Sequence, residues 1–285
     1  IGRKPRHASG QYQRHRRGGA RADPPLVPRG DRRRVLKGER RMPAPVNHLK
    51  SRLASGEMLR GLWVCLGSET VTEIAGHAGF DWCLIDGEHG AYDPTMIRRQ
   101  LMILEGTPAE AVVRVPVNAD WVLKQVLDLG AQSVMVPMIN SAEEARAAVA
   151  ACKYPPDGVR GIGGATTRAS GFGAFDGYTG TANDQIAVFL QVETRAGLDD
   201  LEGIAATEGV DCVFIGPSDL SADMGYRDDP DAPQVWAAIT DAVRKIRAAG
   251  KPAGIICPKA HHAAMIEAGV TFLGLGHDTG TMTRR

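Results

Sequence analysis

Cysteine is scarce and scattered in this 285-residue chain, with five residues, Cys65, Cys83, Cys152, Cys212 and Cys257, and no CxxC pair. An odd number at irregular spacing argues against both a disulfide framework and a structural zinc site. Four of the five sit inside apolar runs, where a free cysteine behaves as a small hydrophobic side chain. A reducing cytoplasm is the compartment this usage predicts. No apolar run approaches the roughly 18–20 residues a membrane span needs, and the mean hydropathy of -0.19 agrees. A glycine-rich phosphate turn is missing as well: Gly67-Ser68-Glu69-Thr70 follows the first apolar run and is a poor one, which disfavours a doubly wound nucleotide-binding sheet. Lysine is absent from every apolar run, the lysines after residue 42 being Lys50, Lys124, Lys153, Lys245, Lys251 and Lys259. Covalent imine chemistry, which needs a lysine at a strand top, is therefore not expected.

What is present is a large apolar fraction, 43% of the chain, enough for a sizeable core. Charge is divided unevenly. Residues 1–42 hold 14 Lys and Arg against 3 Asp and Glu, whereas the rest holds 20 against 30. An acidic globular body thus follows a basic, Arg/Gly/Pro-rich stretch with almost no hydrophobic periodicity. A nucleic-acid arm and a targeting peptide are both weighed for that stretch. Its composition favours a disordered extension, with Met42 as the expected natural start and nucleic acid an unexpected partner.

From residue 46 to 278 short apolar runs alternate with longer helical patterns. Eight runs occur, at 62–67, 82–86, 111–116, 133–138, 186–193, 211–217, 253–258 and 271–276. They are continuous rather than alternating, as in parallel strands buried on both faces. Helices are predicted over 69–77, 94–104, 121–129, 141–151, 195–206, 235–249 and 261–268, with an extra one over 46–54 before the first strand. Eight βα units in about 230 residues predict a (β/α)8 TIM barrel. The stretch 270–278 that contains the eighth run is followed only by TGTMTRR, so the last covering helix is expected to be missing. The long connection 152–185 is expected to be functional or an oligomer contact.

Barrel chemistry lies where strand C-terminal ends meet the βα loops. The runs end there in Asp86-Gly87-Glu88-His89, in Arg114, in Gln191-Val192-Glu193 and in Gly216-Pro217-Ser218-Asp219. Ionisable groups at the ends of buried strands must be paired, metal-bound or at a site. Glu193 and Asp219 come from adjacent strands. Without His or Cys beside them they suit a hard divalent cation with open positions, the alternative being structural carboxylates paired with arginine. His89 reads as a base whose tautomer Asp86 would fix by a hydrogen bond, or as a satisfied buried histidine. Arg114 suits an oxyanion or a carboxylate, with Gln191 helping to orient it.

IDGEH (85–89), VVRVP (112–116), VPMI (136–139), YPPDGVRG (154–161), QVET (191–194) and FIGPSDLSADMGY (214–226) resemble the HpcH/HpaI aldolase family, metal-dependent class II aldolases of 2-keto acids. The resemblance covers about residues 46–280 and does not reach 1–42. It implies Glu193 and Asp219 as metal ligands, Arg114 near the pyruvate keto oxygen, and His89 with Asp86 as the base dyad. It also implies Gln191, Gly216, Pro217 and Ser218 as substrate-binding elements, and Asp128 as a residue contributed across a subunit interface. Mg2+, Mn2+ or Co2+ is the implied cofactor, a 2-keto acid and an aldehyde the small-molecule partners, and a homo-oligomer (trimer or hexamer) the assembly. The aldehyde is expected to be selected by side chains such as those of 158–176 and by neighbouring subunits. Competing expectations are a citrate-lyase-like acyl-CoA lyase on the same barrel and an inactive, truncated barrel.

Overall fold

The computed structural model describes residues 43–283; the basic stretch 1–42 lies outside the described residues. Eight parallel strands close into a barrel in the order in which they occur in the chain. They are β1 (Leu59–Val64), β2 (Trp82–Asp86), β3 (Glu110–Arg114), β4 (Ser133–Val136), β5 (Ala187–Val192), β6 (Cys212–Ile215), β7 (Ala253–Ile256) and β8 (Val270–His277). β1 pairs with both β2 and β8, which closes the ring. No helix of the described residues is long and apolar enough to cross a membrane.

Side chains alternate across each strand, and this divides the core in two. One set, including Trp63, Trp82, Leu84, Val112, Met135, Phe189, Phe214 and Phe272, fills the barrel interior. Trp82 stacks on Phe272 at 4.1 Å between ring centroids. Gly61 makes room, since a Cβ there would lie 2.0 Å from the Trp82 ring. The helix α1 (His48–Ala54) sends Leu49 and Leu53 into the same cluster and so plugs the base. Its cap Asn47 ties it down, donating to Ser133 and to the Gln132 and Gln185 carbonyls. The other set, including Cys83, Ile85, Val113, Val188, Val213 and Ile255, packs outward against the helices.

Those helices are α2 (Glu69–His77), α3 (Pro94–Leu104), α4 (Asp120–Asp128), α5 (Ala142–Cys152), α6 (Tyr178–Gln185), α7 (Arg195–Asp199), α8 (Leu201–Ala206), α9 (Pro217–Asp223), α10 (Pro233–Ala248), α11 (His262–Ala268) and α12 (Asp278–Thr283). Ser68, Asp93, Ser141 and Thr194 cap α2, α3, α5 and α7 through their side chains, as their residue types favour.

Four differences from the sequence reading stand out. The helix expected over 195–206 is two, broken at Asp200, whose carboxylate accepts the Ala142 N–H at 2.6 Å. The short α9 begins directly on Pro217, a residue pre-set for a first turn. Strand β8 is followed by the short α12 rather than by nothing. The connection 152–185 contains α6 and a 3-10 turn, Arg168–Ser170. It joins the end of α5 to the start of β5 and so runs at the base. There Arg168, Phe172 and Tyr178 line a recess of about 540 Å³ together with Asn47, Glu110 and Ser133. Those side chains cannot line the strand tops of their own barrel, which removes them as selectors of an aldehyde within one chain.

Candidate active site

The inward-facing positions nearest the strand tops carry the polar residues. Along β2 the sequence Trp82, Leu84, Asp86 faces inward, and along β3 Val112 and Arg114 do the same. Asp86 and Arg114 are register partners. The guanidinium donates from Nε to Asp86 Oδ1 at 2.9 Å and from Nη2 to Oδ2 at 2.8 Å. Its Nη1 lies 2.8 Å from Glu88 Oε2, and its face lies over Trp63 at 5.8 Å. Two of its five N–H groups, one on Nε and one on Nη2, are thus hydrogen-bonded, and the Glu88 contact is an ion pair.

Burial alone would raise the Asp86 carboxyl, but the Arg114 hydrogen bonds and charge outweigh it and hold the group below the usual carboxylate range. Glu88 moves the other way: burial outweighs the pull of Arg114 and raises it. Asp86 also accepts the main-chain N–H groups of Glu88 and His89, and the Cys65 Sγ lies 3.6 Å from its Oδ2. The hydrogen bond expected from the His89 ring to Asp86 is not formed, because Arg114, directly opposite in the register, occupies both carboxylate oxygens. The His89 imidazole is 66% exposed, and its Nε2 faces Glu88 Oε2 at 3.8 Å.

On the opposite side, Glu193 follows β5 and is almost fully buried, 1% exposed. Its Oε1 accepts the Met138 N–H at 2.9 Å, and its Oε2 accepts from Gln191 Nε2. Burial pushes Glu193 up to about 7, helped by the charges of Asp219 and Glu88 and opposed by the Met138 N–H and Gln191. Asp219 stands exposed in the first turn of α9, next to Pro217 and Ser218. Gly216, its cap, brings the backbone against Glu193: a Cβ there would lie 2.2 Å from Glu193 Oε2. Among the described residues no three His, Cys, Asp or Glu side chains are grouped to hold an ion by themselves. A cation here would complete its shell with water and substrate oxygens.

The donor set fits such a cation. The carboxylates of Glu193, Asp219 and Glu88 lie within reach of one another's charge. Gln191 Oε1 is buried beside them without a hydrogen-bond partner. All are hard oxygen ligands suited to Mg2+ or Mn2+ rather than to a thiolate-seeking metal.

Asp128 is not brought to this cluster. It ends α4, at the base, where Arg160 Nη2 donates to it at 2.7 Å. Arg160 is itself fully buried against the Tyr154 ring, 4.4 Å away.

Three features escape sequence reading. Glu88 stands in IDGEH without announcing itself as an arginine partner. Met138 adopts φ 58°, a left-handed conformation that costs a non-glycine residue about 1–3 kcal/mol. Asp278 accepts the N–H groups of Cys65 and Leu66, each at 3.0 Å, and so ties α12 to the top of β1.

Residues 59–284 match the HpcH/HpaI aldolase/citrate lyase family. The chain belongs to this family. It is 49% identical to a hydroxypyruvate/pyruvate aldolase of Agrobacterium fabrum over 238 residues, 83% of this chain and 90% of the relative. It is 44% identical to a 4-hydroxy-2-oxovalerate aldolase of Rhodococcus jostii over 246 residues, 86% of this chain and 95% of that one. Its barrel is similar to the crystal structure of an HpcH/HpaI aldolase/citrate lyase family protein from Burkholderia cenocepacia. That likeness has a TM-score of 0.81 at 40% identity, covering 83% of this chain and 95% of the other.

Proposed function

We propose that this member of the HpcH/HpaI family is a carbon–carbon lyase that reversibly cleaves a 4-hydroxy-2-keto acid to pyruvate and an aldehyde with the help of a divalent cation. The aldolase assignment rests on family membership and on relatives that are aldolases over nearly their whole length. The observation that carries the metal-assisted reading is that Glu193 lies within reach of the charges of both Asp219 and the Arg114 guanidinium.

Glu193 and Asp219 would hold Mg2+, Mn2+ or Co2+, with Gln191 and the Gly216–Ser218 backbone beside it. The cation supplies Lewis-acid polarisation of the 2-keto acid. Arg114 would direct free Nη hydrogens at the keto oxygen. Its charge opposes the negative charge that develops there as the C3–C4 bond breaks, an effect on the scale of one oxyanion-hole donor, about 3–4 kcal/mol. Asp86 holds the guanidinium in plane and keeps it from rotating away. His89, at the mouth, accepts the C4 hydroxyl proton directly or through water. The aldehyde leaves as the C3–C4 electron pair becomes the enolate of pyruvate, which is then protonated at C3. Glu88, rather than Asp86, stands where it can stabilise a protonated His89.

A homo-oligomer, a trimer or hexamer, would be needed for Asp128 at the barrel base to reach the site of another copy; sedimentation tests the assembly. The activity is tested by supplying a 4-hydroxy-2-keto acid and following pyruvate release through lactate dehydrogenase. Release that needs added Mg2+, Mn2+ or Co2+ is the expected result, and the same rate in chelated enzyme contradicts it.

A further inference from the structure

We infer that Asn140 and Met138 form a positioning device for the Glu193 carboxylate, joining the top of β4 to the top of β5 in a closed ring of hydrogen bonds. The inference rests on the reading of Glu193 as a metal ligand. The ring runs as follows: Met138 N–H donates to Glu193 Oε1 at 2.9 Å, Asn140 Nδ2 donates to the Met138 carbonyl at 2.8 Å, and the hydroxyl of Thr194, next to Glu193, donates to Asn140 Oδ1. Both ends are anchored. The Asn140 N–H donates to Glu144 Oε2 at 2.7 Å, and Thr194 Oγ1 accepts the Gly197 N–H at 3.0 Å as the cap of α7.

Met138 occupies φ 58°, a conformation that side chains rarely adopt, and is 45% exposed. The left-handed turn bends the chain after Met138 so that Asn140 reaches back to the Met138 carbonyl, whereas an extended residue at this point would carry the chain on along the strand direction. Asn140, grasping the Met138 carbonyl, holds the turn. With Oε1 occupied by Met138 and Oε2 by Gln191, the carboxylate has one allowed plane. Groups that orient a metal ligand in this way typically carry about 10–100-fold in metal affinity when removed.

The test is Mn2+ binding to the whole chain by calorimetry, a readout that involves no turnover, with melting recorded for each variant. Asn140→Ala is expected to weaken Mn2+ binding about 10-fold, as is Met138→Ile, whose branched side chain resists the left-handed turn. Met138→Gly, which reaches positive φ freely, should bind as the parent does and should recover part of the loss when combined with Asn140→Ala. Should Asn140→Ala fold poorly, Met138→Ile carries the test. Mn2+ affinity within twofold of the parent in both Asn140→Ala and Met138→Ile would overturn the inference, as would no recovery in the double variant. Glu193→Gln separates the two failures. If it abolishes binding while the positioning variants bind normally, only the positioning device falls; if it binds Mn2+ unchanged, the ligand reading falls and takes the device with it.

Discussion

Asp86 and Arg114 are direct neighbours in the β2–β3 register and are joined by two hydrogen bonds, 2.9 and 2.8 Å long, with both side chains nearly inaccessible to water. A buried ion pair of this kind is costly to break from one side only, because the remaining charge stays in a low-dielectric site. Asp86→Asn should destabilise the protein by about 3–5 kcal/mol, a fall in Tm of roughly 6–20 °C for a barrel of this size. Thermal melting at pH 7 checks it.

The same pair sets an acid limit. The Asp86 carboxyl is held below its ordinary value, so its stabilising contribution is fully present above the unfolded-state pKa of about 4 and is lost as pH falls through the lower, folded value. Stability measured by urea unfolding between pH 5 and pH 2 should therefore decline in part through Asp86. In Asp86→Asn that part of the decline should be gone.

Arg114 is expected to act mainly on catalysis. Arg114→Lys keeps a positive charge but loses the planar fork that grips Asp86 and Glu88. Its kcat should fall about 10²–10³-fold, the scale of an oxyanion donor, while KM for the keto acid moves less. Steady-state kinetics decide this, and a change confined to KM would assign Arg114 to substrate binding alone.

The thiols should be silent. Burial pushes Cys83, Cys152 and Cys257 up to about 12, and burial together with the nearby Asp86 and Asp278 charges does the same for Cys65. At pH 8 about one thiol in ten thousand is then a thiolate. Iodoacetamide should leave the native protein unmodified and active at that pH and should label five cysteines once urea unfolds the chain.

Much of this architecture was legible in the sequence because burial on both faces writes itself as continuous apolar runs. The limits of β2, α2 and α3 were read to the residue. The last inward position of each run also stands out, because a charge there breaks an apolar pattern; Asp86, Arg114 and Glu193 were found that way. What sequence could not supply is register. Which carboxylate meets Arg114 depends on how β2 and β3 align, so Asp86 was paired with His89 instead of with the arginine across the strand. The left-handed turn at Met138 is carried by no glycine, whereas the base location of the connection 152–185 follows from its place between the helix over 141–151 and the next strand.

Gly216 offers a backbone test of the same site. Because an added Cβ would meet Glu193 Oε2 at 2.2 Å, Gly216→Ala should displace the carboxylate, weaken cation binding and cut activity with only a small change in Tm. Mn2+ titration and melting on one preparation measure both.

The central claim, that Glu193 and Asp219 hold a divalent cation that eases removal of a proton next to the pyruvate ketone, is tested most directly by methyl-proton exchange of pyruvate in deuterated buffer, followed by NMR. It needs no knowledge of the aldehyde. Exchange should be fast with Mg2+ or Mn2+, fall to background with EDTA, return when the cation is restored, and be lost in Glu193→Gln and Asp219→Asn. Undiminished exchange in chelated protein, or in those two variants, would contradict the account.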